Sequence, residues 1–179
     1  MSERRDAAGT AQVRLETWAE RDLELLRLTN SPEMTEHLGG PEPEEKLLVR
    51  HQRYLDIEGA RTGRMFSVVL LPEGVTVGTI GYWDRVWQGE TVYETGWGVL
   101  PGYQGRGIAV AAATAAIADA AARHTHGSLH AYPSVDHPAS NAICRKAGFT
   151  LVSVCDFEYP PGNPIRCNDW CVDLTAVGR

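Results

Sequence analysis

The sequence predicts a single α/β domain with a mixed, mostly antiparallel sheet flanked by helices. Its length of 179 residues suits one domain. Segments rich in alternating or β-branched residues are interspersed with segments of helical periodicity, so both element types are expected. No repeat or low-complexity linker divides the chain, and an apolar content of 43% is enough for a packed core.

The sequence predicts an N-terminal tail at residues 1–10 and a domain at residues 11–179. "QVRLETW" alternates like a strand, and "AERDLELLRLTN" places Leu23, Leu26 and Leu28 at near-helical spacing. "SPEMTEHL" predicts a short helical turn, broken at Gly39-Gly40-Pro41. An amphipathic helix is then expected through Leu47, Leu48, Tyr54 and Leu55.

The second half begins with a hairpin, since the turn "PEG" joins the apolar run "MFSVVLL" to "VTVGTIGYW". "TVYETGWGVL" predicts another strand, closed by Pro101, and a helix is expected from about Gly107 to His124. The remaining predictions are the short strand "GSLHAY", the short helix "HPASNAICRKAGF" ended by Gly148, and the strands "TLVSVCDFEY" and "CNDWCVDL" around the loop "PPGNPIR".

Charge and cysteine usage exclude several classes of protein. A net charge of -6 disfavours binding to nucleic acid or to an anionic membrane surface. The charged start lacks a secretory signal, and the longest apolar stretch, residues 108–118, is too short to span a bilayer. The four cysteines show neither a CxxC pair nor zinc spacing, so we expect reduced thiols, no metal and a cytoplasmic location.

The segment "GYQGRGIAVAAA" is the first candidate for a functional site. A helix N-terminus leaves amide groups without partners and carries partial positive charge, and glycines let a ligand approach the backbone closely. Strand, glycine-rich turn and helix together therefore predict a cradle for a phosphate or diphosphate. The alternative is an ordinary tight turn between a strand and a helix.

Two common phosphate motifs do not fit these residues. The dinucleotide fingerprint Gly-x-Gly-x-x-Gly would use Gly105 and Gly107, but Val110 stands at its third glycine. A phosphate-loop NTPase requires Lys and Ser or Thr after the last glycine, where this chain has Ile108 and Ala109.

A third motif fits. "QGRGIA" resembles the acyl-CoA signature Gln/Arg-x-x-Gly-x-Gly/Ala of the GCN5-related N-acetyltransferases, the GNAT family. "ETGWGVLPGYQGRGIA" and "HPASNAICRKAGF" are similar to segments of the ribosomal-protein N-terminal acetyltransferase (RimJ/RimL-like) branch, and the resemblance covers roughly residues 12–174. It implies a splayed pair of strands that holds CoA.

The resemblance also implies roles for individual residues. The amides of Gly105 to Ala109 would bind the CoA diphosphate, and the Val99 amide would donate to the thioester carbonyl and stabilise its developing charge. Arg106 would either contact the diphosphate or face solvent. The full set implied for cofactor binding is Trp97, Gly98, Val99, Gln104, Gly105, Arg106, Gly107, Ile108, Ala109, His137 and Ser140.

The segment "HPASNAICRKAGF" departs from the family pattern at two positions. His137 replaces the usual asparagine and cannot make the same pair of hydrogen bonds. Many relatives have a tyrosine at Cys144 as general acid; here Cys144 either packs in the core or the thiolate leaves without a protein acid. Ser140 either caps the short helix or reaches the thiol end of CoA.

The reaction needs a neutral amine, so a carboxylate or a water that it orders is expected near the acetyl group. Glu94 lies where the branch carries a glutamate, and its apolar surroundings predict a raised pKa; the alternative is a surface glutamate or an ion pair. His130 and Tyr132 are further candidates. Cys167, Asp169 and Trp170 are expected to line the acceptor groove.

The sequence therefore predicts direct acetyl transfer from acetyl-CoA to a primary amine. The branch suggests the α-amine of a peptide or protein N-terminus. A small-molecule acceptor such as an aminoglycoside, a polyamine or an amino-acid-like amine remains an alternative, as does a non-catalytic acyl-CoA-binding module. Relatives often form homodimers, so the resemblance also implies a homodimer as one state of this protein.

Overall fold

The computed structural model describes residues 10–179, so the tail predicted for residues 1–10 lies almost wholly outside it. The strands are β1 (Gln12–Thr17), β2 (Gly63–Leu71), β3 (Val75–Trp87), β4 (Glu90–Val99), β5 (Ser128–Ala131), β6 (Thr150–Glu158) and β7 (Pro164–Asp173). The helices are α1 (Leu23–Thr29), α2 (Glu44–Asp56), α3 (Ile108–Arg123) and α4 (Pro138–Lys146).

All seven strands form one sheet in the order β1-β2-β3-β4-β5-β7-β6. Strands β1 to β4 pair antiparallel with their sequence neighbours, as do β6 and β7. Within residues 10–179 the contact between β4 and β5 is the one parallel pairing, and α3 provides the crossover that such a pairing requires. The predicted mixed, mostly antiparallel sheet is confirmed.

The sheet is covered on both faces, because adjacent residues of a strand point to opposite sides. Phe66 and Val68 of β2 belong to a core packed against α3, whose alanines let the helix lie close to the sheet. Met65 belongs to a second core on the other face, formed with Trp18, α1 and α2.

Three details differ from the sequence prediction. Helix α1 buries Leu25 and Leu26, while Leu28 is 57% exposed. A short 3-10 turn precedes the helix and determines which of its residues face the core. Helix α2 buries Leu47 and His51 rather than Leu48. Strand β7 starts at Pro164, since the residues predicted as loop pair with the end of β6.

Two further features of the chain concern its cysteines and the length of its helices. All four cysteines have free thiols. Within residues 10–179, no helix combines the length and the apolar character needed to cross a membrane.

Candidate active site

The turn that follows β4 has the backbone shape of an open cradle. Gly105 and Gly107 have φ values of +76° and +77°, in the left-handed region where other residues are strained. A side chain placed on either glycine would meet no atom within 4 Å, so both face open space. The glycines therefore shape the turn and also leave its outer surface bare.

The amide groups of this turn have no partner in the described part of the chain. Residues 105–110 donate to no acceptor among residues 10–179, and the first amide of α3 with a backbone partner is that of Ala111, which bonds to Gly107. Free amides at the start of a 16-residue helix attract anions through both hydrogen bonds and the helix dipole. This arrangement fits a diphosphate.

Two side chains of the turn are held by neighbouring residues. Gln104 Nε2 donates to the carbonyl oxygen of Val99 at 2.9 Å, which joins the turn to the end of β4. The Arg106 guanidinium lies 5.3 Å from the centre of the Tyr103 ring. The exposed Arg106 side chain thus stays at the mouth of the cradle.

Strands β4 and β5 diverge immediately beside the cradle. They pair only at Tyr93–Leu129 and Glu94–His130. Beyond this point the chain after β5 follows β7 instead, with Asn168 donating to the Pro133 carbonyl at 2.9 Å. The edge of β4 from Thr95 to Val99 is left without a strand partner on that side.

Hydrogen bonding to β3 fixes which groups of β4 face this gap. The Leu100 amide donates to the Val77 carbonyl at 2.8 Å, so Leu100 faces β3. The backbone N–H and C=O groups of successive residues point to opposite edges of a strand. The amides of Trp97 and Val99 therefore face the gap. The Val99 carbonyl is occupied by Gln104, whereas its amide is free to donate to a ligand; the Val99 side chain is buried in the core.

Helix α4 lies on the far side of the gap. His137 caps it, because its Nδ1 accepts from the Ser140 amide at 3.4 Å, so the capping role predicted for Ser140 belongs to His137. Ser140 is the third helical residue and supplies the donor. The His137 ring also stacks on His37 at 4.1 Å between centres, and burial together with His37 lowers the pKa of His137.

Cys144 is wholly inside the protein. Cys144 belongs to α4, and its side chain is 0% exposed and packs in the core. Burial raises the pKa of its thiol to about 12. The thiol is therefore protonated at neutral pH, as expected of a residue that packs rather than reacts.

Glu94 lies on β4 where the two strands separate, on the face opposite α3. Burial raises the pKa of its carboxyl group, although Arg85 opposes this through a hydrogen bond of 3.2 Å from Nη1 to Oε2. Both side chains are partly exposed. A carboxyl group with a raised pKa and access to solvent has the properties required of a general base.

A second pair of charged groups lies next to Glu94. His130 Nδ1 is 2.6 Å from Asp169 Oδ1, and Trp87 Nε1 donates to the other Asp169 oxygen at 3.0 Å. Burial disfavours the charged imidazole, but hydrogen bonds to Asp169 and Cys171 outweigh it and raise the pKa of His130 to about 9. The sequence did not predict this pair, because its members are 39 residues apart.

A cleft opens on the same face as Glu94, between α1, α2 and the β6–β7 loop. Gly98 lies in its wall, where a side chain would approach Met34 to 3.3 Å. Cys167, Asp169 and Trp170, which were predicted to line the acceptor groove, do not line this cleft. They lie on β7 and are buried within the protein. The cleft is lined by Leu26, Thr29, Asn30, Met34, Thr35, Leu38, Gly40, Glu42, Leu47, Arg50, Tyr54, Met65, Thr79, Trp97, Gly98 and Tyr159.

The charged residues of the cleft neutralise each other. Arg50 Nη2 lies 2.6 Å from both carboxylate oxygens of Glu42, and it also donates to the Tyr159 hydroxyl at 2.8 Å. Arg50 therefore fixes the β6–β7 loop against α2. No other acidic or basic side chain lines the cleft within residues 10–179.

The fold and this site have the features expected of a protein that binds an extended anionic molecule along an open strand edge, beside a cleft with room for a second molecule. Residues 12–150 match the family model described as the acetyltransferase (GNAT) domain. The chain therefore belongs to the GNAT family and is an acetyltransferase. A search of curated proteins finds no match.

Solved structures share the whole fold at low identity. An acetyltransferase from Agrobacterium tumefaciens is 21% identical, with a TM-score of 0.73 over 89% of this chain and 90% of that one. An acetyltransferase from Salmonella typhimurium that modifies the N-terminal serine of a ribosomal protein is 18% identical, with a TM-score of 0.74 over 93% and 96%. A Vibrio cholerae spermidine N-acetyltransferase is 16% identical, with a TM-score of 0.74 over 91% and 96%.

Proposed function

We propose that this acetyltransferase transfers the acetyl group directly to a primary amine, and that its acceptor is the α-amine of a peptide or protein N-terminus. One observation carries the proposal: the free Val99 amide and the cleft around Gly98 lie on either side of the same short stretch of β4. A donor held along the strand edge would present its acetyl group to an amine in the cleft.

Acetyl-CoA fits the groups that the chain provides. The amides of Gly105 to Ala109 would hold the diphosphate, with Arg106 adding a charge-assisted contact. Trp97, Gly98 and Val99 would bond to the pantetheine arm as a further strand would. When bound, acetyl-CoA supplies the activated acetyl group, and the Val99 amide would donate to its carbonyl oxygen where negative charge develops.

The acceptor's proton requires a base, and Glu94 is the residue that we assign. Its raised pKa brings its titration closer to neutral pH, which suits a group that must accept a proton. Ser140 and His137, at the start of α4, would contact the donor near its sulfur. Cys144 would pack beneath them, so this chain would release the thiolate without help from that side chain.

The charge pattern of the cleft supports an N-terminal amine over a polycation. Binding an aminoglycoside or a polyamine favours several unpaired carboxylates near each other, since each ammonium needs a counter-charge. Among the described residues that line this cleft, Glu42 is the one acid, and it is already bonded to Arg50. The Salmonella structure supports the same choice, while the Vibrio structure supports the alternative of a polyamine.

Two further expectations belong to this proposal. The RimJ/RimL-like branch is supported by the Salmonella likeness and by the segments around Gln104 and Asn141. Four free thiols suit a reducing compartment, which supports a cytoplasmic location.

The proposal is tested by calorimetry with acetyl-CoA together with a thiol-release assay on three classes of acceptor. We expect binding of acetyl-CoA and release of CoA with short peptides that have a free N-terminus, and none with the same peptides after N-terminal blocking. Turnover confined to spermidine or an aminoglycoside would move the acceptor to the small-molecule class. Binding without release across the panel would indicate a module that holds acyl-CoA without turnover.

A further inference from the structure

The cleft beside Gly98 is small and ends in a hydrophobic core. Its volume is about 130 Å³. Its lining includes Leu26, Leu47 and Met65, which are buried and belong to the core formed between the sheet and helices α1 and α2. A group that enters the cleft therefore reaches apolar side chains of this core, which form the floor of the cleft.

Met34 limits the space on the side opposite β4. Its side chain is partly buried, and its methyl carbon lies 3.3 Å from the position that a side-chain Cβ on Gly98 would occupy. Because residue 98 is a glycine, the space between β4 and Met34 stays open. The width of the cleft next to the strand is thus determined by the size of the Met34 side chain.

Most polar side chains of the cleft already have partners inside the protein. Asn30 holds the backbone of Glu42 through two hydrogen bonds of 2.8 and 2.9 Å. Thr29 and Thr35 each donate to a backbone carbonyl of the preceding turn, at 3.0 and 2.7 Å. Since Glu42 also pairs with Arg50, a polar group that left water for this cleft would lose hydrogen bonds without replacing them.

The end of the cleft next to β4 is more polar than its floor. Thr79 pairs with Gly98 across β3 and β4, and its hydroxyl oxygen lies 3.6 Å from the Cβ position of residue 98. A hydroxyl there suits the polar backbone of an acceptor whose amine would reach an acetyl group beside Val99. The cleft therefore matches a molecule with a polar end at the strand and an apolar end at the floor.

We propose that the acceptor carries a medium-sized apolar side chain, such as that of leucine or methionine, on the carbon next to its amine, and that this side chain fills the cleft. The inference rests on the proposed function, since it names the first residue of the peptide that would be acetylated. Each methylene group buried against the floor favours binding.

The volume of the cleft sets an upper limit on this side chain. A cavity of about 150 Å³ holds a molecule the size of benzene. The cleft, at about 130 Å³, has room for leucine or methionine but not for the two fused rings of tryptophan.

A thiol-release assay with peptides that differ only in their first residue tests the proposal. Leucine and asparagine are the matched pair, because their side chains have nearly the same shape and differ in polarity. The kcat/KM of the leucine peptide should be about 10- to 100-fold higher than that of the asparagine peptide. The tryptophan peptide should also be a poor substrate because of its size. Equal values for leucine and asparagine would overturn the proposal.

Variants of Met34 test the size limit. Met34→Ala should raise the kcat/KM of the tryptophan peptide about tenfold relative to that of the leucine peptide, because the cleft becomes wider. Met34→Leu is the matched control, since it conserves the volume and should keep the wild-type order of peptides. The wild-type order in Met34→Ala would contradict the proposal.

Binding can also be followed without turnover, because two of the three methionines of the chain, Met34 and Met65, line the cleft. In the presence of CoA, the leucine peptide should shift the NMR signals of both labelled methyl groups. The asparagine peptide should need a concentration about tenfold higher. Met34→Leu and Met65→Leu assign the two signals, and Met1, outside the described residues, supplies a reference.

The two readouts separate this inference from the proposed function. If the wild-type enzyme acetylates no peptide, the proposed peptide acceptor is wrong, yet the methyl signals still report whether the cleft takes an apolar side chain. The absence of a shift with the leucine peptide, or equal shifts with both peptides, would overturn the inference.

Discussion

Gln104 Nε2 donates a hydrogen bond of 2.9 Å to the carbonyl oxygen of Val99. This bond joins the turn that would hold the diphosphate to the strand end that would hold the acetyl group. It also satisfies a carbonyl that faces the gap and leaves the neighbouring amide of Val99 free. The separation of these two parts of the site is thereby fixed.

Gln104→Ala should weaken acetyl-CoA binding about fivefold, since a neutral hydrogen bond contributes about 1 kcal/mol. The loss arises because the turn is no longer held in register with β4. Isothermal calorimetry measures it, with Gln12→Ala on the outer strand β1 as the control. Unchanged affinity would show that the turn keeps its position without this bond.

Gly107→Trp should abolish acetyl-CoA binding, because the side chain would occupy the surface where the diphosphate is expected. The substitution also imposes backbone strain of about 1–2 kcal/mol at a positive φ. Gly74→Trp is a matched control, since Gly74 has a φ of +71°, equally open surroundings and a place in the distant β2–β3 turn. Normal acetyl-CoA affinity in both variants would show that the diphosphate does not bind at the turn around Gly107.

Glu94→Gln should lower kcat about 100-fold and leave acetyl-CoA affinity unchanged. The acid limb of the wild-type pH–rate profile, which reports ionisation of Glu94 above the ordinary value of 4.5, should disappear in the variant. A variant with the same pH–rate profile as the wild type would remove Glu94 as the base.

The same substitution has a consequence for stability. The raised pKa of Glu94 means that the folded protein holds this proton more tightly than the unfolded chain does. The stabilisation is fully present below pH 4.5 and is lost as the pH rises through the folded-state pKa. The melting temperature of Glu94→Gln relative to the wild type should therefore increase with pH over that interval.

Cys144→Ala should change kcat by less than about twofold while lowering the free energy of unfolding by about 1–2 kcal/mol. The stability loss follows from the cavity that the fully buried thiol would leave. Urea denaturation and the thiol-release assay measure the two effects separately. A large fall in kcat in a well-folded variant would make Cys144 a participant in the chemistry.

The His130–Asp169 pair should make stability depend on pH above neutrality. Because the folded-state pKa of His130 is about 9 against an ordinary 6.5, its contribution is complete below pH 6.5 and is lost as the pH rises through 9. Urea denaturation across this range should show the decrease. His130→Asn should remove this dependence of stability on pH, whereas His124→Asn at the exposed end of α3 should leave it unchanged.

Most of the fold, and the open shape of the glycine-rich turn before α3, could be predicted from the sequence. Their signals are local: alternation marks β1 and β2, and glycines at positive φ precede the free amides of α3. Gln104 and Val99 are five residues apart, so even their contact lies within one motif. The predicted roles of Glu94 and Cys144 still await the measurements above.

The part of the site proposed for the acceptor amine could not be predicted in this way, because contacts between segments distant in sequence form it. Arg50 and Tyr159 are 109 residues apart and shape one wall of the cleft, while Asp169, expected in that groove, is buried beside His130. The sequence by itself determined where free amide groups begin a long helix, since a helix start exposes its amides without help from other segments. The tertiary structure decided which charges pair, because burial and long-range strand order set the neighbours of each ionisable group.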